Sequence, residues 1–411
     1  MQFSPTTFKQ LTSRLRVRYK SRLKKVLREL DQSSHTYQWI EDHWDELENF
    51  SPIKWYLLRQ LENLAFFLSI PADSSSKDEF TEVDDEVFER WNSTEFADTF
   101  LKLLNRGTTV SKATAKTAAS MDQHLVSMGN RHILKVTDTN KGYRIQPSLG
   151  EYLKSGKVTK MLQTTLHLEG KELVLMTSSI GEMKDFSVKI EVALHLIRKF
   201  SPDSWNRFKA FTEVIIPIKQ EELVSYSHQD LPGTSMINLY HRDFVDLLDD
   251  LLHENGHHHL NYYLNLGKVI EEPLENIYYS PWRSTLRPLR GIYHAYFTFF
   301  WAFKLFSQMA DSKELDSIWY IFSQKEKEKI YFRAVEEFYM LEYSFADLSW
   351  AKKKGLITPI GWDLVKSQHS QLLKYKSKIP LWEKNSGSNM TAIKALKTKL
   401  KESSKKYKKK L

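Results

Sequence analysis

The chain has 411 residues, a net charge of +9, 41% hydrophobic and 27% charged residues, the composition of an ordinary soluble protein. It contains no cysteine. That excludes disulfides, iron–sulfur clusters, thiolate zinc sites and cysteine nucleophiles, and it agrees with a cytoplasmic location.

The N-terminus is polar, and the basic run from Arg14 to Lys25 has no apolar stretch after it, so no secretory signal is expected. Leu11, Leu15, Tyr19 and Leu23 recur at helical spacing, which makes that run the wet face of an amphipathic helix. Periodic apolar residues return in Tyr37 to Phe67 and Val87 to Leu104, either side of a polar loop at 71–78. Residues 1–130 therefore read as a helical region. From about 131 short β-rich runs take over, at Lys171–Met176, Thr212–Ile218, Leu223–Tyr226 and Thr234–Tyr240, with a helix at Val188–Phe200 between the first two.

Residues 131–310 read as the functional domain and 311–393 as a C-terminal helical region. The stretch 394–411 is Lys-rich, with Glu402 its one acid, and is expected to be a solvated, disordered tail. No aromatic platform or reader motif accompanies it, so nucleic acid is not an expected partner. The most apolar stretch, Ile292 to Phe306, is broken by His294 and Lys304 and is short for a membrane span; a buried helix is expected. The fold class that results is α+β and predominantly α-helical. A small mixed sheet leads into a zincin-like metal helix, flanked by N- and C-terminal helical regions.

That helix carries the most informative residues, His253-Glu254-Asn255-Gly256-His257. Two histidines four apart project from one helical face, so both imidazoles can reach one metal ion, with Glu254 close by. Asp243 is the expected N-cap, followed by acidic residues that suit the helix dipole. Phe244, Leu247, Leu248, Leu251 and Leu252 form an apolar stripe. The plainer alternative is a His-rich helical turn, since His258 and His259 follow directly. Those two point about 100° and 200° away from His257, too far round to join it on one ion.

Downstream, Tyr278 to His294 contains Arg283, Arg287, Arg290, Pro281, Pro288 and Trp282. The prolines hold the backbone out of helix, so a rigid loop is expected. Each arginine can grip a carboxylate bidentately, and His294 can turn back as a third metal ligand. Taken singly, these residues are better explained as a loop stitched by arginine–carboxylate pairs, with His294 an ordinary helix residue; their combination favours the functional reading.

In this order, the HExxH motif followed by Ser280-Pro281-Trp282-Arg283 and Arg287 to His294 resembles the HExxH-motif domain proteins of peptide-modification gene clusters. These are 2-oxoglutarate-dependent peptide β-hydroxylases. The resemblance runs from about Gly233 to Phe306. It implies an iron(II) dioxygenase that uses 2-oxoglutarate and O₂ to hydroxylate a β-carbon in a ribosomally made precursor peptide. In that reading His253, His257 and His294 hold the metal, with Glu275 or Glu336 and Glu337 as carboxylate competitors for the third position. Arg283 or Arg287 binds the distal carboxylate of 2-oxoglutarate, with Arg290 a third choice or a partner for the peptide. Glu254 orients a metal-bound ligand, and residues 1–130 are the candidate peptide holder. Gly256 departs from good helix chemistry by about 1 kcal/mol. The competing reading is a gluzincin-type zinc metallopeptidase with Glu254 as general base and a downstream glutamate as third ligand.

Overall fold

The computed structural model describes residues 5–29, 35–42, 44–48, 58, 134–135, 144–145 and 180–407, the last with gaps at 213, 219–223, 228–232, 239–241, 272, 274, 314 and 316–321. The expected elements at Lys171–Met176 and Val87–Leu104 and the loop at 71–78 lie outside the described residues. The chain divides into two compact units.

One unit comprises Lys9–Val188 and Thr212–Tyr240. Most of helix α1 (Pro5–Glu29) belongs to it, followed by α2 (His35–Asp42). Leu15, Tyr19, Leu23 and Val26 are buried along one side of α1, and Arg14, Arg16 and Arg18 are exposed. The basic run is thus the wet face expected from its spacing. The same unit contains a five-stranded sheet in the order β2-β1-β3-β5-β4, made of Leu134–Lys135 (β1), Arg144–Ile145 (β2), Val214–Ile218 (β3), Tyr226–Ser227 (β4) and Thr234–Asn238 (β5). The sheet is mixed: β3 and β5 pair in parallel with Ile216 opposite Met236, and the other neighbours are antiparallel.

The other unit comprises Met1–Phe8, Lys189–Phe211 and His241–Leu411. It is built from the end of α3 (Ile180–Phe200), α4 (Pro202–Phe211), α5 (Phe244–Leu266), α6 (Leu289–Asp311), α7 (Gln324–Lys353), α8 (Pro359–Leu372) and α9 (Met390–Tyr407). Helix α6 is its centre. Ile292, Tyr296, Phe297, Phe300, Phe303 and Phe306 are all buried, so the apolar stretch is a core helix as expected. Among the described residues no helix is long and apolar enough to cross a membrane. The unit includes residues on both sides of 310, where the sequence suggests a boundary.

Two further expectations are corrected. The segment between Tyr278 and Arg287 is an antiparallel hairpin, Tyr278–Ser280 (β6) with Thr285–Arg287 (β7), rather than an irregular loop. Its prolines obstruct nothing: Pro281 occupies the turn and Pro288 is the N-cap of α6. The Lys-rich end is helical as far as Tyr407 rather than disordered. Ile393 and Leu400 are buried, and Leu396, Leu400 and Tyr407 pack against Tyr279 and Tyr343. That stripe, with apolar side chains at helical spacing, outweighs the charge of the solvated lysine face.

Candidate metal centre

Helix α5 begins where its sequence dictates. Asp243 accepts from the Asp246 amide and Asp246 reciprocates to the Asp243 amide, a capping box that orders the first turn. Leu248, Leu251 and Leu252 bury the core side. Further along, His253 and His257 project together, with their Nε2 atoms 3.1 Å apart. Two nitrogens each about 2.1 Å from one ion lie roughly 3.0–3.4 Å apart, for angles between a right angle and tetrahedral. The observed separation therefore fits shared ligation. Glu254 is buried, with Oε1 4.0 Å from His253 Nε2. Among the described residues, His253, Glu254 and His257 form the one group of three side chains whose ligand atoms all lie within 4.8 Å of one another.

His294 is close to this group but outside it. Its ring centre is 6.2 Å from that of His257, and its Nε2 is buried without a hydrogen-bond partner. Three imidazoles are held neutral by burial. His257 is pushed down to about 4, with the nearby Arg283 charge adding to the effect. His253 is lowered well below the usual histidine range by burial, then by His257 and Arg283. His294 is lowered to about 3 by burial, then by His257 and Arg290. A neutral imidazole is the form that ligates a metal.

Gly256 explains how α6 comes so near. A methyl built on it would stand 3.0 Å from Thr298 Cα and 3.3 Å from Thr298 Cγ2. Thr298 turns its hydroxyl back to the His294 carbonyl, 2.9 Å away, and presents its methyl to Gly256. The glycine between His253 and His257 is thus a point of close approach between α5 and α6.

The three arginines separate. Arg283 rides on the exposed hairpin turn, its charge reaches both His253 and His257, and it has no carboxylate partner among the described residues. Arg287 lies along α6, with its Cβ and Nε 3.3 and 3.4 Å from where a Gly291 methyl would be. Arg290 acts on His294. The carboxylate competitors are exposed or engaged elsewhere. Glu275 is exposed. Glu336 pairs with Arg333, and Glu337 pairs with Arg333 at 3.0 Å while accepting from the Trp282 indole at 2.9 Å.

Phe299 has no signal in the sequence, Trp282 figures there only as a motif residue and Glu337 only as a competitor for the third ligand position; the structure joins the three in a different way. Trp282 stacks on Phe299 at 4.9 Å with the rings 6° from parallel, and Phe299 in turn lies 4.1 Å from the His253 ring. The buried Glu337 carboxylate fastens that stack, and with it the Arg283 turn, to α7. Arg333, which also holds Asp249 of α5, completes a buried ion network beneath the histidines. The adjacent Glu336-Glu337 pair one turn after Arg333 was the visible signal; the partner 55 residues away was not.

Compared with known proteins, the chain matches no family model and no curated protein.

Proposed function

We propose that this chain is an iron(II)- and 2-oxoglutarate-dependent dioxygenase that hydroxylates a β-carbon in a ribosomally synthesised precursor peptide. One observation carries the metal part of the reading: two neutral imidazoles converge at 3.1 Å beside an arginine that lacks a protein counter-ion among the described residues. The peptide part rests on the order of motifs from His253 to His294.

His253 and His257 hold the ion, and His294 supplies the third ligand. Glu254 is the carboxylate nearest the pair and orients what binds there. Arg283 receives the distal carboxylate of 2-oxoglutarate, for which a planar guanidinium is the matching fork. Trp282 and Phe299 form an aromatic wall on the His253 side that limits water. When bound, iron(II) with 2-oxoglutarate and O₂ supplies the oxidising power for an unactivated C–H bond. The overall balance is peptide C–H, 2-oxoglutarate and O₂ to peptide C–OH, succinate and CO₂. The zinc peptidase reading requires a glutamate as third ligand, yet Glu275 is exposed and Glu336 and Glu337 serve Arg333 and Trp282.

The test is O₂-dependent succinate formation from 2-oxoglutarate by the iron-loaded full chain. His253→Ala and His257→Ala should each abolish it. Zinc-dependent peptide cleavage that requires Glu254, with no succinate formed, would overturn the proposal.

A further inference from the structure

A second cluster, apart from the histidine pair, gathers Arg207 of α4 and Trp301 of α6 beside His259 of α5. Arg207 of α4 is fully buried, and none of its three guanidinium nitrogens has a hydrogen-bond partner among the described residues. Its guanidinium stacks 3.8 Å from the centre of the Trp301 ring. The Trp301 indole nitrogen is also buried without a hydrogen-bond partner among the described residues. A second cation, Lys304, reaches the same ring at 5.4 Å, and its own charge is matched by Asp203 at 3.0 Å. Asp203 therefore balances Lys304, and Arg207 is left over.

Buried arginines are almost always paired, because an isolated charge removed from water is costly and guanidinium does not give up its proton. Five guanidinium N–H groups and one indole N–H without acceptors amount to a set of donors awaiting oxygen atoms. Burial disfavours the Arg207 charge, and no carboxylate among the described residues offsets it. His259 stacks against Phe211 at 4.5 Å and lies 5.9 Å from the Trp301 ring. The planar fork matches two oxygens of one oxyanion, and the indole floor suits a compact ligand.

We infer that Arg207 and Trp301 form a binding site for a small oxyanion, a carboxylate or a phosphate group, separate from the candidate metal centre. Asp203, partly exposed, balances Lys304, whose ammonium reaches the same indole ring.

The experiment is calorimetric titration of the metal-free full chain with inorganic phosphate, and separately with acetate, at an ionic strength fixed with sodium chloride. One saturable site per chain is expected, and whichever anion saturates it identifies the head group. Arg207→Gln should weaken binding roughly tenfold to a hundredfold. Trp301→Phe keeps the aromatic floor but removes the indole donor, and should weaken it several-fold even if the Arg207 variant fails to fold. Lys401→Gln, on the exposed face of α9, should leave it unchanged. The site is disproved if neither anion saturates the wild-type chain, if chloride competes as well as either oxyanion, or if Trp301→Phe and a folded Arg207→Gln bind like wild type.

Discussion

Replacing Gly256 by alanine sets two effects of known size against each other. In a free helix the change would stabilise by about 1 kcal/mol. Here the new methyl would stand 3.0 Å from Thr298 Cα and 3.3 Å from both Thr298 Cβ and Cγ2. Carbon atoms prefer roughly 3.5–4.0 Å, so α6 must retreat by about 0.5 Å. A backbone atom is the tightest contact, so no side-chain rotation relieves it. Overpacking of this kind costs roughly 1–3 kcal/mol, and the net expectation is a loss of about 0–2 kcal/mol. The site should suffer more than the fold, because ligand positions tolerate only about 0.2 Å and His294 sits one turn from Thr298. Urea denaturation reads the stability, and competition with a coloured chelator reads metal affinity, which should fall about tenfold or more. Gly267→Ala, where nothing lies within 4 Å, is the matched control. A Gly256→Ala protein that gains the full 1 kcal/mol or so and binds metal like wild type would show that the close crossing does not shape the centre.

Arg283→Ala should raise the 2-oxoglutarate concentration needed for half-maximal succinate formation about tenfold to a hundredfold, while metal affinity holds; Arg287→Ala, whose side chain lies on Gly291, should change it far less. Trp282→Phe preserves the stack on Phe299 but strands a buried Glu337 oxygen, at a cost of about 1–3 kcal/mol by denaturation, and should weaken 2-oxoglutarate binding without loss of metal. The metal-free protein should be sensitive to acid. His257, His258 and His294 have folded values of about 4, 3 and 3, chiefly through burial, against about 6.5 when unfolded. Below about pH 6.5 the unfolded chain binds the extra protons. Stability is then complete above that pH and falls, by roughly 1.4 kcal/mol per unit for each histidine, as pH drops toward the folded values. Urea midpoints at about pH 7 and pH 5, either side of the unfolded value, measure the slope, and equal midpoints would show that these imidazoles are not buried neutral.

Local chemistry made part of this structure legible. The Asp243 cap, the apolar stripe of α5 and the four-residue histidine spacing are relations within one helix, and each reads directly from neighbouring letters. Gly256 read as a local defect because its reason, Thr298, stands on another helix. The hairpin was hidden by Pro281 and Pro288, which signal irregular backbone but here occupy only the turn and the cap. Charge density obscured α9, although Ile393, Leu396, Leu400 and Tyr407 were already spaced to pack. Arg283 could not be told from Arg287 in the sequence; in the structure its charge reaches both His253 and His257. Arg207 had no local signal at all, since an arginine in an amphipathic helix is ordinarily on the wet side.

The most direct measurement is anaerobic addition of iron(II) and 2-oxoglutarate to the metal-free chain, followed by visible absorption. The proposed centre requires a weak charge-transfer band that depends on both additions, disappears in His253→Ala, and needs more 2-oxoglutarate in Arg283→Ala. Iron bound at His253 and His257 with no band at any 2-oxoglutarate concentration would contradict it.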